Sequence, residues 1–211
     1  LLESRGALVI IDIDNFKFSF SKMSKAGALF DMVKLADVSK NYICRLSAEE
    51  VYEMVTDWAK ENNKKLYKLL VDDEEYAKAI FAIERGNAKP RKDISAWTDV
   101  ENYVSYFYSE LWDRKFDFPD NLSNDDMIEI LELYKQIYDE NVSSDDWFPQ
   151  VRDMAETIGY AKAPKVYKKD PDSYKGHVGD VAGVIRVAAT GRRNTPDLYE
   201  ILQVLGKDEV I

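Results

Sequence analysis

The residues best suited to chemistry lie near the C-terminus, in Arg186-Val-Ala-Ala-Thr-Gly-Arg-Arg-Asn-Thr-Pro-Asp-Leu198. Three arginines, Arg186, Arg192 and Arg193, surround a glycine turn. A guanidinium carries fixed donors that match phosphate oxygens and base-edge acceptors. Thr195 reads as the N-cap of the next helix and Pro196 as its first residue. The unpaired N–H groups of that helix start would then open beside the cationic loop and favour an anion or a base edge. This is recognition chemistry, without bond making. Cys44 and His177 are the only cysteine and histidine, and nothing local joins them into a catalytic pair. His177 has no metal-ligand partners at suitable spacing. Asp125-Asp126 and Asp145-Asp146 read as the acidic first turns of helices. The expectation is a chain with no catalytic residue, no metal and no cofactor of its own.

Charge distribution sharpens that expectation. The net charge is −10, which by itself argues against nucleic acid. Between Lys162 and Arg193, however, eight basic residues face three acidic ones, leaving that segment at +5 and the remainder at −15. Screening at physiological salt acts over about 8 Å, so phosphate attraction is a local matter. An acidic body with one basic face can hold RNA; the plainer alternative is a solvated basic segment. A single cysteine fits a reducing compartment, and no apolar run is long enough to span a bilayer. The chain is expected to be cytoplasmic and monomeric, without membrane or DNA as a partner. It begins without methionine, which suggests a piece of a longer protein.

Positioning these residues falls to helices. Leu8–Ile13 and the alternating Phe16, Phe18 and Phe20 predict a short extended lead-in. Beyond them the spacing is helical. Ser47-Ala-Glu-Glu50 is a capping box that opens a helix with Val51, Met54, Val55 and Trp58 on one face. A second helix is predicted from Asp73 to Arg85, stopped by Gly86, and a third from Trp97 to Trp112. Ser123 caps a helix through Tyr138, and Ser143 caps one that runs to Ile158 and stops at Gly159. Residues 160–175 read as a loop, followed by helices from Gly179 to Ala189 and from Pro196 to Leu205. In the loop, Tyr160, Tyr167 and Tyr174 could stack on bases, though core packing is the commoner fate. The polar link Lys115–Asn121 sets the predicted boundary. The expected fold is all-α: a bridge at 1–45, a helical subdomain at 46–118 and a second at 119–211.

The segment from Arg186 to Leu205-Gly206-Lys207 closely resembles the C-terminal signature of bacterial glutamyl-tRNA synthetases. Phe18-Ser-Phe-Ser-Lys-Met-Ser-Lys-Ala-Gly-Ala-Leu-Phe-Asp-Met-Val-Lys-Leu35 resembles the stretch just beyond their catalytic core. The family places its anticodon contacts on positions that correspond here to Arg186, Thr195, Pro196 and Leu198. Arg192 and Arg193 would meet phosphate in the turn. In Lys89-Pro-Arg-Lys-Asp93, Arg91 stands where the family reads the last anticodon base; its alternative is a solvated loop arginine. Lys22-Met-Ser-Lys25 matches the lysine-rich ATP loop of class I synthetases, but no His-x-Gly-His element or glycine-rich phosphate loop accompanies it. The resemblance therefore implies a tRNA-binding region whose parent enzyme uses ATP and Mg to attach glutamate. Two alternatives stand beside it: the matching region of a class I lysyl-tRNA synthetase, and a helical protein-interaction module that binds no RNA.

Overall fold

A computed structural model describes residues 31–210, and among these the regular structure is helical, with no strand. The predicted lead-in and Lys22-Met-Ser-Lys25 lie outside the described residues. The chain divides into two compact units, the first ending at Ser105 and the second beginning at Tyr106.

In the first unit, Asp31 caps α1 (Met32–Ile43) by accepting from the Val33 and Lys34 amides. The expected capping box at Ser47 and Glu50 starts α2 (Ala48–Asn62). α3 (Lys64–Asp72) and α4 (Glu74–Ala82) follow, each opened by a side-chain cap, Asn63 and Asp73. α2, α3 and α4 pack on one another. Their seam is Val51, Val55 and Ala59 from α2, Leu66 and Leu70 from α3, and Ala77, Ile80 and Phe81 from α4, all fully buried. Each large apolar side chain so buried contributes about 1.5–3 kcal/mol. Met54 and Trp58, predicted on the α2 face, are only half-buried, while Tyr52 and Ala59 complete it. Arg85 donates to the carbonyls of Ile43, Leu46 and Phe81, tying the end of α1 to the end of α4. The Ser39 hydroxyl donates to the Ser95 carbonyl at 2.5 Å. The described part of the predicted bridge is thus packed into the first unit. The predicted Trp97–Trp112 helix is shorter, a 3-10 turn Trp97–Asp99, then α5 (Val100–Val104) and a second turn Ser105–Phe107.

The second unit holds α6 (Asn124–Ile137), α7 (Ser144–Thr157), α8 (Pro164–Tyr167), α9 (Val178–Thr190), α10 (Leu198–Leu205) and α11 (Lys207–Val210). Ser123 and Ser143 cap α6 and α7 as expected. α6, α7 and α9 form its centre around Ile130, Tyr134, Trp147, Val151, Val181, Val184 and Ile185, and Leu198 and Leu202 of α10 close the cluster. The Trp147 indole donates to the Tyr134 hydroxyl at 3.0 Å, so both polar tips are satisfied inside. The boundary comes earlier than the predicted 118/119. Its reason is visible in the second unit: the Asp117 amide donates to the Gly191 carbonyl at 3.0 Å, and Arg192 lies over the Tyr106 ring at 5.4 Å. Segment 106–118 therefore packs with the helices that follow it.

Candidate nucleic-acid interface

α9 delivers the arginine turn. It begins at His177, whose ring accepts from the Gly179 amide while Asp180 accepts from the His177 amide. That accounts for the single histidine as a helix cap. Among the described residues no three His, Cys, Asp or Glu side chains cluster so as to hold a metal. α9 ends at Gly191, with φ at 75° and its amide donating to the Val187 carbonyl. A Cβ on Gly191 would stand 2.3 Å from the Lys115 carbonyl oxygen. Glycine is therefore required twice, for the left-handed backbone and for the approach of a second chain segment. Buried Thr190 fastens the same corner: its hydroxyl donates to the Arg186 carbonyl at 2.7 Å and accepts from the Arg192 amide at 3.2 Å.

Arg186, on the last turns of α9, is half-buried. One of its terminal nitrogens, Nη1, donates to the Thr195 hydroxyl and to the Pro196 carbonyl, the latter at 2.7 Å. Arg192 rests on Tyr106 as a cation–π contact. Arg193 donates to the carbonyls of Asp117 and Phe118 and pairs with the Asp117 carboxylate at 3.0 Å. The three arginines thus flank the Gly191 turn, each oriented by named partners.

The other predicted contacts sit differently. α10 starts at Leu198, with Asp197 as N-cap accepting from the Glu200 amide, so the predicted Thr195 cap and Pro196 first position are two residues early. Asp197 wins because its carboxylate reaches the third amide of the helix, while the Thr195 hydroxyl is occupied by Arg186. Thr195, Pro196 and Leu198 are all buried, with Leu198 only 2% exposed. Leu198 belongs to the core cluster, so it offers no apolar surface to a splayed base in this conformation. The predicted contact face narrows to the arginines, with exposed Asn194 and Asp197 between and beyond them. Only the fold shows this, because the helical spacing of Leu198 suits a core and a contact face equally.

Arg91 belongs to the first unit. Its guanidinium forms a bidentate pair with Asp93, at 2.7 and 3.0 Å, and Glu84 lies at 3.7 Å. The bond to Asp93 pushes its pKa up. Beside it Tyr103 is half-buried, and desolvation raises the phenol to about 12. Arg91 is therefore neither a freely solvated arginine nor brought near Arg186 within one unit.

The basic loop is more ordered than predicted. A parallel bridge between Ala161 and His177 closes its base, with the Ala161 amide on the Gly176 carbonyl and the Val178 amide on the Ala161 carbonyl. Inside it are α8 and a 3-10 turn, Pro171–Ser173. Tyr160, weighed as a stacking residue, is 1% exposed, and burial raises its pKa to about 12. Its ring is core. Tyr167 meets His177 edge to face.

With this geometry in place, the chain can be set beside known proteins. The family model for an anticodon binding domain matches residues 172–211, which hold α9, the arginine turn and α10. The chain is 43% identical over 203 residues to a glutamate–tRNA ligase of Clostridium perfringens, covering 94% of this chain and 37% of that protein. It is also 43% identical over 199 residues to the glutamate–tRNA ligase of Acetivibrio thermocellus, at 94% and 36% coverage. A glutamate–tRNA ligase of Alkaliphilus metalliredigens is 27% identical over 198 residues. The chain spans little more than a third of the length of these curated relatives. Along 94% of its length the chain is similar to the C-terminal region of bacterial glutamate–tRNA ligases, and its residues 172–211 match an anticodon binding domain.

Proposed function

We propose that this chain binds tRNA and reads its anticodon with the corner between α9 and α10, on behalf of an enzyme that activates glutamate with ATP and Mg. The bond-making steps belong to parts of that enzyme outside this chain. The observation that carries the reading is the gathering of Arg186, Arg192 and Arg193 at one glycine-fixed corner inside the span matched as anticodon binding. Single-stranded loops are read through bases splayed out against side chains, and a guanidinium can serve both base edge and phosphate. Arg186 is the base-reading candidate, held at its angle by Thr195 and Pro196. Arg192, resting on an aromatic ring, suits phosphate, and Arg193 would reach phosphate by exchanging its Asp117 carboxylate for it. Thr195, Pro196 and Leu198 then act by shaping the corner from within. The relatives named above are all glutamate–tRNA ligases, which favours this reading over a lysyl-tRNA synthetase region or a protein-interaction module.

A titration with unmodified glutamate tRNA and an anticodon-swapped version tests it. Discrimination between the two is expected, and Arg186→Ala should cost about 1–3 kcal/mol on the glutamate tRNA alone. Binding indifferent to the anticodon overturns the reading, and an equal loss on both RNAs assigns Arg186 to phosphate anchoring.

A further inference from the structure

We propose that the exposed face of α8 and the turn that follows it, carrying Lys165, Lys168 and Lys169, is a second binding site, for the phosphate backbone of the RNA whose anticodon meets the arginine corner. It rests on the function proposed above. The three lysines stand at i, i+3 and i+4, spacing that places side chains on one helix face. The backbone keeps helical bonding through them, with the Lys168 amide on the Pro164 carbonyl at 3.0 Å and the Lys169 amide on the Val166 carbonyl at 3.1 Å. Between them Val166 and Tyr167 are half-buried, while all three lysines are exposed.

What sets these lysines apart is how their neighbours are used. Lys175 is taken up by Asp126 and Glu129 at 2.8 and 2.9 Å, and Lys162 lies 3.9 Å from Glu156. Asp170, the nearest acid in sequence, accepts from the Ser173 hydroxyl at 2.6 Å. Among the described residues, none of Lys165, Lys168 and Lys169 is in an ion pair. Like charges at this spacing repel, and a chain with 39 acidic residues leaves these three unmatched. A polyanion would relieve the repulsion.

The site is also built in advance. The Ala161–His177 bridge closes the loop, the Lys175 amide donates to the Gly159 carbonyl, and Tyr160 roots it in the core. A Cβ on Gly176 would meet the Asp180 carboxylate at 2.7 Å and the Tyr160 ring at 3.2 Å, so the chain returns through a tight slot. Little backbone ordering entropy remains to be lost on binding. The loop feeds directly into α9, whose 13 residues lead to the arginine corner. At ~1.5 Å per residue α9 is about 20 Å long, so it sets the base of the loop about that far from the Gly191 turn. The lysines lie upstream of residues 172–211, the part matched as anticodon binding.

The test compares Lys165→Gln/Lys168→Gln/Lys169→Gln with a control of equal charge change, Lys60→Gln/Lys65→Gln/Lys68→Gln, from α2 and α3. Full-chain proteins are titrated with glutamate tRNA and its anticodon-swapped version across a salt series. Each phosphate contact contributes roughly 0.7–0.9 to the slope of log K against log salt. The loop variant should lose about 2–3 from that slope on both RNAs and keep its anticodon preference, while the control keeps the wild-type slope. An unchanged slope in the loop variant overturns the proposal and leaves the anticodon reading standing. So does an equal drop in the control, which would make any three charges count. A slope drop without anticodon discrimination in wild type supports the loop site and overturns the anticodon reading. Lysine-dependent binding to anionic phosphatidylserine vesicles, with the RNA slope unchanged, assigns the face to a membrane and overturns it.

Discussion

Arg91 and Arg186 are both half-buried, and different kinds of oxygen hold them. Arg91 closes on the Asp93 carboxylate, with Glu84 beyond. Arg186 donates to a hydroxyl and a backbone carbonyl. A carboxylate orients a guanidinium through an opposite charge, while hydroxyl and carbonyl oxygens orient it through neutral hydrogen bonds. The turns beside them differ too. Gly86, near Arg91, has φ at 81° and open space about it, whereas Gly191 combines φ at 75° with a carbonyl where a side chain would go. One arginine stands beside a permissive turn and the other on a fixed corner.

The largest expected effect separates the two turns. Gly191→Ala should cost about 3 kcal/mol or more, combining left-handed strain with overpacking against Lys115, and Gly86→Ala only about 1–2 kcal/mol of strain. Urea unfolding of the two variants measures this, and equal losses would abolish the contrast.

Next comes the manner in which each arginine is held. Thr195→Val removes a buried hydroxyl from Arg186 and should cost about 1–3 kcal/mol, with weaker tRNA binding. Asp93→Asn touches a partly exposed pair and should change stability by less than about 1 kcal/mol. Freed from its carboxylate, Arg91 should then raise tRNA affinity. Unchanged affinity would remove Arg91 from the interface.

The smallest effect concerns the loop tether. The hydrogen bond from Lys175, then that from Ser123, holds the Asp126 carboxyl below its usual range. Since the folded-state value is depressed, the stabilisation is full near neutrality, begins to fall near pH 4 and is lost as pH drops through the lowered folded value. Asp126→Asn should therefore lower the melting temperature slightly at pH 7 and by less at pH 3, the cost at pH 7 being less than about 1 kcal/mol because the pair is substantially solvated. A difference of the same size at pH 3 would detach the effect from this charge.

Much of this was legible in local sequence. Ser47, Ser123 and Ser143 announced three helices because a cap and its amide lie within one turn. Gly191 announced a turn for the same local reason. α3 was not foreseen, although Asn63 caps it by accepting from the Leu66 amide. It follows α2 so closely that two short helices read as one run. The Trp97–Trp112 stretch fails in the opposite sense. Val100, Val104, Phe107 and Leu111 keep helical spacing, yet α5 ends at Val104. Tyr106, Phe107 and Tyr108 are all buried, which a single helical stripe could not achieve.

By itself the sequence determined the all-helical class, the caps, the segregation of positive charge into 162–193 and the arginines that bear it. These follow from interactions that span a turn or a stretch of composition. Tertiary structure alone decided that Thr195, Pro196 and Leu198 turn inward, that Arg91 closes on Asp93, and that segment 106–118 joins the second unit. Those outcomes depend on groups far apart in the chain, such as the Lys115 carbonyl pressed against Gly191. Spacing along a helix tells which residues share a face; only packing tells which face is covered.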